Sequence, residues 1–281
     1  MNTSLTQDQV NQYQEDGFIV IRNFLSAEEC TELTRGVSDC VKEYESVKII
    51  GAEKHELIKD GTDDFYSNVF LQKLNMWKVS SVVRKYFLSP KLGEMACKLE
   101  GIEGLRVWHD QTLQKKPWAN PTSFHLDNPY WSFTNRHAIS IWIALDDATL
   151  QNGCLSYIPG SHKTTTTKNV GIGQNVGSIF DTYPEYIKTK PAMAEMKAGD
   201  CGFHNGYTIH GAGANMTPGW RRAMTCGYMT EGSTFNGTRN ILDKEYFESL
   251  KIGDVLENEA QNPLVWSSKK QAGKERLVSA K

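Results

Sequence analysis

Apolar positions follow one rhythm up to about residue 100 and another beyond Gly104. In the first part they recur at helical spacing. Thr6-x-x-Gln9 has the form of a capping box and predicts a short helix ending near Gly17, followed by the β-prone run "FIVI". Ser26-x-x-Glu29 is a second such box, and after it Cys30, Leu33, Val37 and Val41 fall on one stripe that predicts a core-facing helix. Residues 47–78 are less periodic and read as a long connection with some helix. Ser89-Pro90 reads as an N-cap with proline at the first helical position, opening a helix through "KLGEMACKL".

After Gly104 the runs are short and β-type: "LRVWHDQTL", "HAISIWIAL", "CLSYI", "CGFHN" and "AMTCGYM". Turn pairs separate them at Asn152-Gly153, Pro159-Gly160, Gly199-Asp200 and Pro218-Gly219. In "HAISIWIAL", Ile139, Ile141, Ile143 and Leu145 take one face and Ala138, Ser140, Trp142 and Ala144 the other. Helices first and then many short strands predict one α+β domain whose second part is a β-sandwich or barrel. We divide it into a helical flank (5–100), a strand-rich core (104–230) and a C-terminal extension (240–281). Thr164 to Thr167 sit in a polar stretch expected to be a surface loop acting as a lid.

Composition narrows the class. Of 281 residues 39% are apolar, enough for a sizeable core, and the net charge is only -2. That balance argues against nucleic acid or an anionic membrane surface as partner, and leaves a small molecule. No run reaches the ~18–20 apolar residues of a membrane span. The polar start is unlike a signal peptide, and the closing "SAK" is not a peroxisomal address. Six cysteines, none in a C-x-x-C pair, read as small buried hydrophobes of a cytoplasmic protein.

The candidate chemistry begins at "SFHLDNPYW", where His125 and Asp127 stand two positions apart. In an extended segment both project to one face. With a third ligand from another strand they would form the 2-His-1-carboxylate face of a non-heme Fe(II) site, which leaves three positions open. Downstream, "HNGYTIHGAGANMTPGWRRAM" offers His210 before a glycine-rich turn and Arg221 eleven residues later. A strand arginine can clamp a carboxylate through two parallel hydrogen bonds, so a dicarboxylate cosubstrate fits the layout. Alternatively, His210 caps a turn and Arg221 is a surface charge. His204, six residues before His210, competes as third ligand.

These residues resemble the phytanoyl-CoA dioxygenase family of Fe(II)/2-oxoglutarate oxygenases. The likeness runs over roughly residues 5–230, through "LTQDQVNQYQEDGFIVIRNFLSAEEC", "FHLD", "WIALDDATLQNGCLSYIPGSH", "MKAGDCGFHNGYTIHGAGAN" and "RRAM". It implies a double-stranded β-helix (a cupin-like jelly roll) with the N-terminal and flanking helices packed outside. It implies His125, Asp127 and His210 as iron ligands, in preference to His204, and Arg221 as partner of the distal 2-oxoglutarate carboxylate. Arg222 is adjacent, but neighbouring strand residues face opposite ways, so only one of the two should enter the pocket. The resemblance also places Trp142, Gln111 and Lys73 at the cosubstrate. On their own they are equally a core aromatic, a strand amide and an exposed lysine. Phe124, Asn128, Tyr130 and Trp131 follow the metal motif and are candidates for the substrate wall.

The expected function is therefore an Fe(II)- and 2-oxoglutarate-dependent dioxygenase that uses O₂ to hydroxylate a C–H bond of a small organic molecule, with succinate and CO₂ as coproducts. Asp127 disfavours halogenation, which needs the carboxylate position free for halide. The alternative is a non-catalytic member that binds 2-oxoglutarate or metal without turnover; four intact side chains argue against it. Lys115, Lys116 and Arg136 are too few to mark a CoA site.

Overall fold

In the computed structural model the described residues are 1–44, 63–168 and 170–271. The two N-terminal capping boxes form as their sequences dictate. Thr6 accepts from the Gln9 amide and Gln9 returns to Thr6, opening helix α1 (Gln7–Asp16), which Gly17 ends in the left-handed conformation at φ 79°. Strand β1 (Phe18–Ile21) follows. Ser26 and Glu29 exchange the same reciprocal bonds at the start of α2 (Ala27–Tyr44). Of the connection expected over 47–78, residues 45–62 lie outside the described residues. The remainder contains α3 (Asp63–Ser67), strand β2 (Leu71–Leu74) and a 3-10 turn at Met76–Lys78. Helices α4 (Ser81–Phe87) and α5 (Pro90–Glu100) complete the flank, the latter with Pro90 at its first turn.

Among the described residues nine strands follow: β3 (Gly104–Lys115), β4 (Thr122–His125), β5 (Ile139–Ala144), β6 (Leu155–Tyr157), β7 (Ala192–Ala194), β8 (Cys201–Asn205), β9 (His210–Ala212), β10 (Arg221–Thr230) and β11 (Leu264–Ser267). They form two antiparallel sheets. The larger runs β1-β8-β5-β10-β3-β11, with β2 also on β3; the smaller runs β4-β9-β6-β7. This is the jelly roll with helices outside. The C-terminal stretch supplies β11, which pairs with the start of β3 and extends the larger sheet.

Strand β5 shows why both of its faces are apolar. Ile139, Ile141, Ile143 and Leu145 join the core under the helices, with Leu33, Val37, Phe87, Leu92 and Leu99. Trp142 and Ala144 face the smaller sheet, among Phe18, Leu155, Tyr157, Ala212 and Ala223. Each fully buried Ile or Leu contributes roughly 1.5–3 kcal/mol, so the helical layer anchors the sheet whose inner face carries polar chemistry. Thr165 is no part of a free lid: it is fully buried, and its hydroxyl donates to the Tyr207 carbonyl at 2.7 Å. Further along, Val176 is tied down too, its carbonyl accepting from the Phe124 amide at 3.0 Å.

Candidate active site

Strands β4 and β9 pair antiparallel with His125 directly opposite His210. Partners in such a pair share a face, so the two imidazoles meet with ring centroids 4.3 Å apart. Asp127 arrives differently from the extended geometry expected. Strand β4 ends at His125, and Asp127 has turned to helical angles (φ -76°, ψ -50°) at the start of a 3-10 turn. The turn swings the carboxylate back, and Oδ1 lies 3.7 Å from Nε2 of both His125 and His210. One ligand atom from each of the three residues lies within 4.8 Å of the others, a group able to hold a metal ion.

The donor set is also in the right protonation form. Nδ1 of His125 is 2.8 Å from the Ser123 carbonyl, and Nδ1 of His210 is 2.9 Å from the Thr208 carbonyl. A carbonyl only accepts, so each Nδ1 carries the proton and each Nε2 presents a lone pair to the shared space. Burial, and then the neighbouring His125 and His204, push the His210 imidazole well below its usual pKa, keeping it neutral. For Asp127 burial opposes ionisation, but the imidazoles gathered around it outweigh burial and hold the carboxyl well below the usual range. The Asp127 side chain keeps 22% of its surface exposed, so this group opens outward.

His204 does not join the group. Its Nε2 lies 3.1 Å from Asp127 Oδ2, the oxygen turned away from the other imidazoles, and Ser140 Oγ donates to the same oxygen at 2.9 Å. The Tyr157 hydroxyl lies 3.3 Å from His204 Nδ1. Ser140 shares the inner face of β5 with Trp142, a placement the alternation of that strand already contained.

Arg221 and Arg222 divide as strand alternation requires. Arg222 turns outward and grips Asp146 through Nε at 2.8 Å and Nη2 at 2.7 Å. Arg221 turns inward, is 2% exposed, and sits 5.2 Å from the Trp142 ring centroid. Its Nη1 donates to the Leu113 carbonyl at 3.3 Å, and its Nε has no hydrogen-bond partner. Burial lowers its pKa to about 10, still far above neutrality, so a charged guanidinium faces the interior with donor capacity unspent. Opposite it in register is Lys115, fully buried, with Nζ donating to the carbonyls of Val69 (3.3 Å) and Asn120. Burial and then Arg221 push Lys115 down to about 6, which leaves Arg221 as the charged member of the two near neutrality. Sequence reasoning had weighed Lys115 only together with Lys116 and Arg136, as too few to mark a CoA site.

The remaining candidates separate by face. Gln111 lies on the inner side of β3, two residues from Leu113, and its carbonyl oxygen accepts from Gln72. Lys73 pairs in register with Thr112, whereas Gln72 pairs with Leu113. Alternation therefore gives Gln72 the inner face and Lys73 the outer one, so Lys73 is not placed to meet the cosubstrate. Phe124, next to His125, packs instead against Phe180 at 5.4 Å, in the apolar cluster of Leu126, Ile158, Ile179 and Ile209. That side faces away from the ligands. Trp131 is buried against Phe133 and Trp108, and lies on Gly227 and Gly206, where an added Cβ would come within 3.0 and 3.3 Å of its ring. It forms a floor beneath the inner face. Asn128 is 1% exposed and tied by its amide to Gly206 O and by Nδ2 to Asn135 O. Tyr130 is half-buried, and its hydroxyl holds the loop at Val170 O at 2.7 Å. Arg136 is engaged as well, donating to Thr165 O and lying over the Tyr207 ring.

Comparison with known proteins gives this arrangement a context. The phytanoyl-CoA dioxygenase (PhyH) family profile matches residues 13–223, which is 211 of the 281. A phytanoyl-CoA dioxygenase domain-containing protein 1 homolog of Caenorhabditis elegans is 24% identical over 285 residues, covering 88% of this chain and 98% of its own. A probable alpha-ketoglutarate-dependent hypophosphite dioxygenase of Stutzerimonas stutzeri is 28% identical over 232 residues, covering 79% and 77%. Among solved structures, the non-heme alpha ketoglutarate dependent carbocyclase SnoK from nogalamycin biosynthesis superposes with a TM-score of 0.74 at 27% identity, covering 93% of this chain and 96% of that one. With the profile spanning most of its length, the chain belongs to the phytanoyl-CoA dioxygenase family.

Proposed function

We propose that the chain is an Fe(II)- and 2-oxoglutarate-dependent dioxygenase that hydroxylates a C–H bond of a small organic substrate and releases succinate and CO₂. The observation that carries this reading is the convergence of His125, Asp127 and His210, two imidazoles and one carboxylate whose ligand atoms lie within 4.8 Å of one another. Iron bound there would supply the oxidation by O₂, coupled to decarboxylation of the keto acid.

The chain's own residues do the rest. Arg221 pairs with the far carboxylate of 2-oxoglutarate; in a buried setting that charge-assisted pair is strong and fixes the cosubstrate's direction. Trp142 backs the guanidinium and walls the pocket. Gln111, whose carbonyl oxygen is occupied by Gln72, keeps its NH₂ to donate to an oxygen of the cosubstrate. The aromatic floor at Trp131 and the loop anchored by Tyr130 exclude water from the reacting centre. Lys115 is spent inside the fold and the exposed Arg136 is tied to Thr165 O, so neither supports a CoA phosphate site.

Six buried, unpaired cysteines support a reducing cytoplasm as the working compartment. Among the described residues no helix is long and apolar enough to cross a membrane.

The test is succinate formation with Fe(II) and 2-oxoglutarate, in wild type and in Asp127→Ala, against a panel of small metabolites. Succinate from the wild type alone, with one oxygen atom of O₂ in the product, supports the reading. Equal non-zero turnover in both removes it.

A further inference from the structure

We propose that His204 and Ser140 are positioning residues that hold Asp127 as a one-oxygen ligand, by occupying Oδ2 and leaving Oδ1 alone for the metal. The inference rests on the reading of the site given above and adds a mode of coordination to it.

Both oxygens of Asp127 are assigned by geometry. Oδ2 receives Ser140 Oγ at 2.9 Å and His204 Nε2 at 3.1 Å, while Oδ1 stands 3.7 Å from Nε2 of each of the other two imidazoles. A carboxylate oxygen only accepts, so Nε2 of His204 carries a proton. Its Nδ1 is then free to accept from the Tyr157 hydroxyl at 3.3 Å. Three imidazoles therefore crowd one carboxylate in two different tautomers. His125 and His210 are protonated at Nδ1 and expose a lone pair at Nε2. His204 is protonated at Nε2 and has no lone pair to offer the metal. This separates His204 from His210 chemically, although their rings are only 4.3 Å apart.

The chemical consequence lies in the number of open positions. A six-coordinate metal held by two imidazoles and one carboxylate oxygen keeps three positions, two for a chelating keto acid and one for O₂. A carboxylate bound through both oxygens would take a fourth and block one of them. Two hydrogen bonds on Oδ2 prevent that rotation. Both donors are rigidly mounted: Ser140 is 2% exposed on β5, and His204 is 3% exposed on β8, directly opposite Ser140 in register. Tyr157, fully buried and stacked on Phe18 at 4.4 Å, fixes the far side of His204.

The experiment uses the full chain, with Co(II) as a spectroscopic substitute for iron. Wild type, Ser140→Ala, His204→Leu and His204→Gln are titrated with Co(II) by absorbance. 2-Oxoglutarate is then titrated calorimetrically into each Co(II) protein, and thermal unfolding checks that each variant is folded. Loss of an outer hydrogen bond to a ligand weakens metal binding by about 10–100-fold, and we expect His204→Leu to fall in that range. Its 2-oxoglutarate affinity should drop further, with a Co(II) spectrum altered toward higher protein coordination. Ser140→Ala should show a smaller change of the same kind. His204→Gln, which can still donate to Oδ2, should recover most of both.

Folded His204→Leu and Ser140→Ala proteins with wild-type Co(II) spectra and affinities within about 2-fold would overturn the proposal and leave the oxygenase reading standing. So would a His204→Leu protein as devoid of metal as His210→Ala, since His204 would then be a ligand. A wild type that binds no Co(II) sinks both readings.

Discussion

Arg221 and Arg222 are consecutive on β10 and point to opposite faces of the sheet, one buried against Trp142 and the other paired with Asp146. The split makes a sharp comparison. Removing one partner of a buried charge pair costs roughly 2–5 kcal/mol, so Arg221→Met should weaken 2-oxoglutarate binding by at least ~30-fold. Arg222→Ala should leave that affinity within about 2-fold and lower stability by only ~0.2–1 kcal/mol, as expected for a part-exposed pair. Lys73→Ala, on the outer face, should likewise leave the cosubstrate affinity unchanged. Calorimetric titration of the three proteins checks all of this, and a loss in Lys73→Ala equal to that in Arg221→Met would refute the facing argument.

Metal removal should be visible in stability. A ligand at one hundred times its Kd stabilises the native state by ~2.7 kcal/mol. For a chain of 281 residues that corresponds to a rise in Tm of roughly 5 °C. Chelator-treated wild type should therefore melt lower than protein with Co(II), and Asp127→Ala should melt at the same temperature with and without the ion.

Lys115 predicts a pH dependence. In the unfolded chain its pKa is about 10.4, whereas in the fold it is pushed down to about 6. Between those values the unfolded state binds a proton that the native state does not, so stability rises with pH across this window. The stabilisation is complete above about pH 10.4 and lost as pH falls through about 6. The slope attributable to this one group is about 1.4 kcal/mol per pH unit. Denaturant unfolding at pH 7, 8 and 9 should show a shallower rise in Lys115→Met than in wild type. An unchanged slope would mean that Lys115 stays charged in the fold.

Gly227 tests the floor under the pocket. A Cβ there would stand 3.0 Å from the Trp131 ring, so Gly227→Ala must displace a buried indole. Overpacking of this kind costs about 1–3 kcal/mol. Trp131→Leu should relieve part of that cost, and a double-mutant cycle by thermal unfolding measures the coupling. Additive losses would place the two residues out of contact.

The sequence made some of this arrangement legible and hid the rest for identifiable reasons. Capping boxes at Thr6 and Ser26 and the alternation of β5 act over a few residues, so they could be read directly, including which side of the strand Trp142 would take. The candidate ligands His125 and His210 could be named from spacing and family likeness, but their pairing across β4 and β9 depends on contacts between distant segments. The turn at Asp127 was hidden for the same reason. Strands β2 and β11 have four residues each, too short for period-2 alternation to stand out. Missing β2 as a strand also hid that Lys73 faces the wrong way. His204 was noticed as a rival ligand; that it meets Asp127 at Oδ2, away from the other two imidazoles, could not be read from its spacing.

The larger sheet is bordered on one side by β1, near the start of the chain, and on the other by β11, more than two hundred residues later. Every strand between them is laid down before the last edge exists. A nascent chain emerging from the ribosome therefore carries an uncovered stretch of β3 until residues 264–267 have been made. Long-range pairing of this sort is slow, and an exposed strand edge invites association with other chains. During synthesis the protein should depend on chaperones up to its final segment, and loss of that short strand should reduce yield far more than its size suggests.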